Sequence, residues 1–140
     1  MSAEFFLDTN VLIYAFTDQD ARKKIRCREL HELAMANRNG TISFQVVQEF
    51  LNAAQKKFPA RFTDDDLREF LENVLWPLCA VLPSQKLYES ALQLRAETGF
   101  SFYDSLIVAA ALEAGCKTIY SEDLQHGRRL HGMEIKNPFS

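Results

Sequence analysis

The sequence lacks the cysteine content of a stapled or zinc-organised protein. Its three cysteines, Cys27, Cys79 and Cys116, are an odd number with no CxxC pair, which excludes a disulfide framework or a thiolate zinc site and fits reduced thiols in a cytoplasm. No stretch reaches the roughly eighteen apolar residues needed to cross a bilayer. The start does not read as a secretory leader, because Glu4 precedes the first apolar run and Asp8 interrupts it, leaving neither a basic start nor an unbroken apolar segment. The histidines, His31, His126 and His131, are not spaced as a helical ligand pair, which argues against a zinc hydrolase. Positive charge is not in excess either: 16 Lys and Arg stand against 19 Asp and Glu, a net charge of −3, so the chain as a whole is not a basic nucleic-acid binder. Basic residues do cluster at Arg22 to Arg28, at Lys56, Lys57 and Arg61, and at Arg128 and Arg129, where solvated helix faces are the simplest reading.

What is present is the makings of one folded domain. At 140 residues, with 47% hydrophobic and 25% charged residues, the chain is the size of one domain spanning residues 1–140 and far from the composition of disorder. Residues Glu4 to Leu7 read as a buried strand that stops at Asp8, and Asn10 reads as the cap of a helix containing Val11 to Phe16. A second helix spans about Ala21 to Asn37, ended by "NRNG". "TISF" (Thr41 to Phe44) is a strand, followed by a helix from Gln45 to Lys57 that Pro59 closes. Thr63 and Asp66 have capping-box spacing and open a helix to about Leu75, so Asp64 to Asp66 are first-turn acids rather than a metal site. "LCAVL" (Leu78 to Leu82) is a buried strand. Ser84 caps a helix ended by Gly99, and Ser101 caps another through Ala114. "KTIYS" is a fourth strand and "MEIKNP" a short fifth. Trp76 and the eleven phenylalanines are read as core. The alternation of strands and helices predicts an α/β fold, a three-layer α/β/α arrangement with a mainly parallel sheet of four to five strands.

Such a sheet binds ligands beyond the carboxyl ends of its strands, where strand order reverses. Four acids occupy that position. Asp8 ends the first strand, Glu49 lies in the first turn after the second, Asp104 lies in the first turn of the helix that Ser101 caps, and Asp123 follows the fourth strand. Singly each has an ordinary explanation as a cap, a turn residue or an exposed acid. Jointly they form a rim of carboxylates that would repel one another unless a cation neutralised them. Hard oxygen donors select Mg²⁺ or Mn²⁺. A metal held by such donors lowers the pKa of its water and clamps a phosphodiester during in-line attack, so hydrolytic phosphodiester cleavage is the natural chemistry. Thr9, Asn10 and Ser121 are suited to orient these carboxylates by hydrogen bonds. Phe100, Phe102 and Tyr103 stand near Asp104, and packing is their simplest role.

The ordered segments "LDTNVLIYAF", "VVQEF", "FYDSLIVAAAL" and "IYSEDLQHG" resemble the PIN-domain family of metal-dependent nucleases, especially its small bacterial members akin to VapC toxins. The resemblance runs from Phe5 to about Pro138. It implies that Asp8, Glu49, Asp104 and Asp123 match the family's acidic cluster and that Ser121 matches its small hydroxyl residue. It also implies Mg²⁺- or Mn²⁺-dependent endoribonuclease activity, homodimerisation and a small antitoxin partner. On this reading Asp8 and Asp104 are direct metal ligands, Asp123 is a direct or water-mediated one, and Glu49 is a ligand or positions the attacking water. Glu122 stands beside Asp123, and either could face the metal. Two other functions remain open: an aspartyl-phosphate phosphotransfer domain using Asp8, against which Asn10 stands where a second aspartate is wanted, and a PIN-like domain that binds RNA or protein without cutting.

Overall fold

A computed structural model describes residues 3–140 and places the first strand, β1, at Phe5–Leu7. All three of its residues are buried, and the chain turns straight into α1 (Thr9–Tyr14). The cap of this helix is Asp8, whose side chain accepts from the Thr9 amide, and not Asn10 as the sequence suggested. Asp8 has the required extended backbone, with φ −71° and ψ 162°, which frees Asn10 for a contact outside the helix. α2 (Ala21–Asn37) follows and ends at Arg38 in the left-handed conformation. β2 (Gly40–Ser43) is buried throughout, and α3 (Phe44–Lys57) starts at Phe44, one residue earlier than the sequence reading, so Glu49 lies in its second turn.

α4 (Asp64–Phe70) opens on the Thr63–Asp66 capping box, with both reciprocal hydrogen bonds present. The helix does not stop near Leu75. It widens into a π turn over Leu71–Leu75 and finishes as α5 (Trp76–Leu78). Pro77 is the cause: it has no amide to donate and its ring crowds the carbonyl four residues back, and the wider turn relieves both, with the Trp76 amide reaching Leu71 O. Trp76 itself is 56% exposed, so it is not a core residue. β3 (Cys79–Val81) is shorter than the strand read from "LCAVL" and only Val81 is buried, because it forms an edge of the sheet. α6 (Gln85–Thr98) and α7 (Phe102–Glu113) have the expected serine caps, Ser84 and Ser101. β4 (Thr118–Tyr120), β5 (Arg129–Leu130) and β6 (Met133–Lys136) complete the chain.

The strands form one six-stranded sheet in the order β3-β2-β1-β4-β6-β5, against the four or five expected. Every pairing is parallel except the terminal β5–β6 pair, whose short β5 carries no hydrophobic signal that a sequence reading could use. Helices cover both faces, giving the three-layer α/β/α arrangement; α1 packs on α2 and α3, while α7 packs on α6 and against β2 and β4. α7 is buried continuously from Ser105 to Ala111, which explains why it is apolar nearly all round. Phe16, Phe50, Phe62 and Phe70 pack ring on ring, with centroids as close as 4.8 Å, and seal α4 onto α1 and α3. No helix of the described residues is long and apolar enough to cross a membrane.

Gly40 sets the approach of α2 to this sheet. A Cβ there would stand 2.4 Å from the Cβ of Ala34 and 2.7 Å from the Phe5 ring, which neither backbone nor buried ring can accommodate. Gly40→Ala is expected to destabilise the fold by about 1–3 kcal/mol, the usual range for overpacking, read as a fall in denaturation midpoint with unchanged slope; an unchanged midpoint would show that α2 can retreat freely.

Candidate active site

Strand order decides where a site can form. Chain connections leave β1 toward β2 on one side and return to β4 on the other, so the crevice opens at the carboxyl ends of β1 and β4. The pairing registers Leu7 with Tyr120, and the Asp8 amide donates to Tyr120 O at 3.0 Å, which sets the next residues, Asp8 and Ser121, side by side. The Ser121 hydroxyl donates to Asp8 Oδ2 at 2.7 Å and accepts from the Leu124 amide at 3.3 Å, while the Thr9 amide donates to Asp8 Oδ1 at 2.7 Å.

A cleft of about 530 Å³ lies over this junction, and Asp8, Glu49, Asp104 and Asp123 all line it, together with Glu122. Glu49 reaches it from α3, with Oε1 accepting from the Thr9 hydroxyl at 2.6 Å. Asp123 follows β4, with Oδ2 accepting from the Asn10 amide at 2.8 Å. Asp104 is half-buried in the first turn of α7, and its backbone amide is capped by Ser101 at 3.1 Å. The three neutral residues Thr9, Asn10 and Ser121 therefore each contact a different acid.

Glu122 behaves differently from its neighbour. It accepts from the Tyr14 hydroxyl at 2.8 Å and pairs with the Lys23 ammonium, which also lies 4.6 Å from the Tyr14 ring centre. Burial works to raise its pKa, but the bonds from Lys23 and Tyr14 outweigh this and hold it below the usual range, while the same contact raises Lys23. Glu122 is thus neutralised by α2, and of the adjacent pair Asp123 is the acid without a cationic partner among the described residues. Sequence reading missed Tyr14 and Lys23 because the first sits inside an apolar helix pattern and the second inside a basic run. It also missed Gln45, which is 4% exposed and whose amide donates to Tyr103 O at 3.2 Å and to Glu49 Oε2 at 3.4 Å. Gln45 thereby links the helix bearing Glu49 to the start of the helix bearing Asp104.

Asp8 carries the electrostatic cost of the site. It is 9% exposed and has no cationic side chain against it among the described residues. Burial pushes its pKa from 3.8 up to about 6; the bonds from Ser121 and Thr9 pull the other way, and the charges of Glu49 and Asp123 add to the rise. The donor set is all carboxylate oxygen, with amide and hydroxyl groups behind it, which fits a hard divalent cation in kind. Like charges stand apart in the cleft: among the described residues no three His, Cys, Asp or Glu side chains lie close enough to hold one ion as they are placed.

A sequence model of the PIN domain matches residues 5–129. No curated protein matches the chain significantly. Among solved structures, a toxin–antitoxin complex from Klebsiella pneumoniae superposes with a TM-score of 0.69 at 19% identity, covering 96% of this chain and 98% of that one. DNA-bound VapBC from Salmonella typhimurium gives 0.67 at 21% identity, over 97% and 98%. The sarcin–ricin-loop-cleaving toxin VapC20 of Mycobacterium tuberculosis gives 0.61 at 17% identity, over 86% and 90%. The chain shares their fold.

The raised pKa of Asp8 makes stability depend on pH with a definite sign. Because the folded chain binds this proton more tightly than the unfolded one, ionising Asp8 destabilises the fold, and the loss grows as pH rises from about 4 to about 6 and is complete above that. Asp8→Asn should therefore stabilise the fold in chelator-containing buffer near neutral pH by up to about 3 kcal/mol, seen as a higher melting temperature, with the gain vanishing near pH 4. Melting curves of both proteins across pH 4–8 check this, and a variant less stable than wild type at every pH would overturn it.

Proposed function

The chain belongs to the PIN domain family, and from that premise we propose that it is a single-domain, Mg²⁺- or Mn²⁺-dependent endoribonuclease, the toxin of a type II toxin–antitoxin pair acting in the cytoplasm. The observation that carries the reading is convergence: acids from four separate stretches, Asp8, Glu49, Asp104 and Asp123, line one cleft at the sheet's switch point. The toxin–antitoxin complexes that share the fold support the biological role and an antitoxin partner. A toxin that cuts the sarcin–ricin loop supports RNA as substrate.

A divalent ion bound among these carboxylates supplies charge neutralisation for the scissile phosphate and lowers the pKa of water. Asp8 and Asp104 would hold it, and Asp123 would do so directly or through water. Glu49 would hold the ion or accept a proton from the attacking water, whose oxygen bonds to phosphorus as the leaving oxygen departs and is protonated. Thr9 and Asn10 fix Glu49 and Asp123 by the hydrogen bonds they donate. Ser121 aims Asp8 into the cleft, and Lys23 with Tyr14 keeps Glu122 out of the ligand set. A second copy of the chain is part of this reading. Phosphotransfer through Asp8 is disfavoured, since Asn10 stands where such a domain wants a second aspartate.

Purified protein should cleave single-stranded RNA with Mn²⁺ and stop on addition of EDTA. Asp8→Asn and Asp104→Asn should each lower kcat/KM by on the order of 10²–10³-fold, the scale of losing one preorganised transition-state contact. Variants that cut as fast as wild type would overturn the assignment. Mn²⁺ at about 100 times its Kd should stabilise the fold by about 2.7 kcal/mol. A chain that binds RNA with no shift at millimolar Mn²⁺ would instead be a non-cutting scaffold, and a melting shift with beryllofluoride alone would restore phosphotransfer.

A further inference from the structure

The carboxylate cleft does not close on itself. It shares Ile13, Tyr14 and Lys57 with a second hollow of about 470 Å³, also lined by Thr17 and Phe58. That hollow shares Asp18, Lys57 and Phe58 with a third of about 430 Å³, which ends at Arg61. Lys57 lines all three, so together they form one trough running from the acids along the junction of α1 and the end of α3.

The two ends of this trough have opposite character. Four acids without a cationic partner among the described residues line the first part, beside the Lys23-paired Glu122, and a phosphate is repelled there until a cation neutralises them, so the cleft by itself offers a polyanion little affinity. The far part is cationic and aromatic. Lys57 is exposed and has no carboxylate partner among the described residues. Arg61 lies with its guanidinium 5.0 Å from the Phe16 ring centre, held in place while its charge stays at the surface. The acid lining this part is Asp18, and it is already paired with Lys24 at 3.0 Å. Phe58, half-buried beside Lys57, lines the same hollow with its ring centre 6.5 Å from that of Phe62.

Cations along a groove that an aromatic residue also lines are what a flexible single strand binds: phosphates meet the charges and a base stacks on the ring. We propose that this trough is the track for the RNA strand flanking the scissile bond, with one flanking phosphate on Lys57, a base against Phe58 and a further phosphate at Arg61. The proposal rests on the ribonuclease reading for the identity of the strand, but its affinity is a property of the trough and is measurable without turnover. The division of labour follows from the charges. The acids cannot supply ground-state binding, and Lys57 and Arg61 do.

The test is fluorescence anisotropy of a single-stranded oligoribonucleotide of about ten nucleotides, with EDTA present so that no cutting occurs, on wild type, Lys57→Ala, Lys57→Glu, Arg61→Ala and Phe58→Leu. Lys86→Glu, on the hollow between α6 and α7, is the control. Lys57→Glu should weaken binding by about tenfold or more, and Lys57→Ala and Arg61→Ala should each lower the slope of log K against log salt by about 0.7. Phe58→Leu should weaken binding with the slope unchanged, and Lys86→Glu should bind as wild type does. In Mn²⁺ the same Lys57 variants should raise KM for the oligonucleotide and leave kcat in place. Wild type that binds through Lys57 yet never cuts would sink the nuclease reading and leave the track standing. Lys57 and Arg61 variants that bind and cut RNA as wild type does would overturn the track, and so would variants that lose only a protein partner. A wild type that binds no RNA at all would overturn it equally.

Discussion

Everything at the candidate site depends on the in-register parallel pairing of β1 with β4. Three residues on each strand pair, and the residue after each, Asp8 and Ser121, meet at the carboxyl rim. Side chains alternate faces along a strand, so a shift of one residue would turn Asp8 away from its hydroxyl partner and bury an ionised carboxylate against apolar neighbours. Buried Phe6, Leu7 and Ile119 hold that register from the interior, which ties the hydrophobic core directly to the placement of the acid.

Around this fixed point the chain treats its acids unequally. Asp8, Glu49 and Asp123 receive neutral donors, which orient a carboxylate while leaving its charge in place. Glu122 receives a lysine, which removes it. Adjacent residues on one loop are thus assigned opposite electrostatic roles by what faces them: α1 supplies an amide to Asp123 and α2 supplies an ammonium to Glu122.

The layers, the helix caps at Thr63, Ser84 and Ser101, and the parallel order of the main strands were legible because each rests on a local signal, either hydrophobic period or a capping residue. What escaped has a physical pattern. β5 is two residues long and exists only because β6 supplies its partner. The π turn comes from Pro77, where the helix expected to run only to about Leu75 deforms and continues. Trp76 is apolar and yet exposed, which no periodicity reveals. The four acids could be named from their places at strand and helix ends. Their partners could not all be named, because Asn10 with Asp123 and Lys23 with Glu122 are separated by 113 and 99 positions and meet only through the sheet's crossover. Asn10 had a local signal as a helix cap, and that signal misled because Asp8 fills the role.

The borders of the sheet carry a consequence for how the molecule associates. One border, β3, is three residues long, joins β2 with an irregular register and is soon followed by Pro83. The other, β5, is two residues long and includes the exposed Arg129. Neither presents a run of free amides and carbonyls long enough to template another strand. A sheet of mostly parallel strands forms slowly from distant segments and is vulnerable to stray pairing while it does so, and these stunted borders remove the invitation. Any contact between copies would thereby fall to helix surfaces, where recognition is read from side chains and not from the backbone common to every protein.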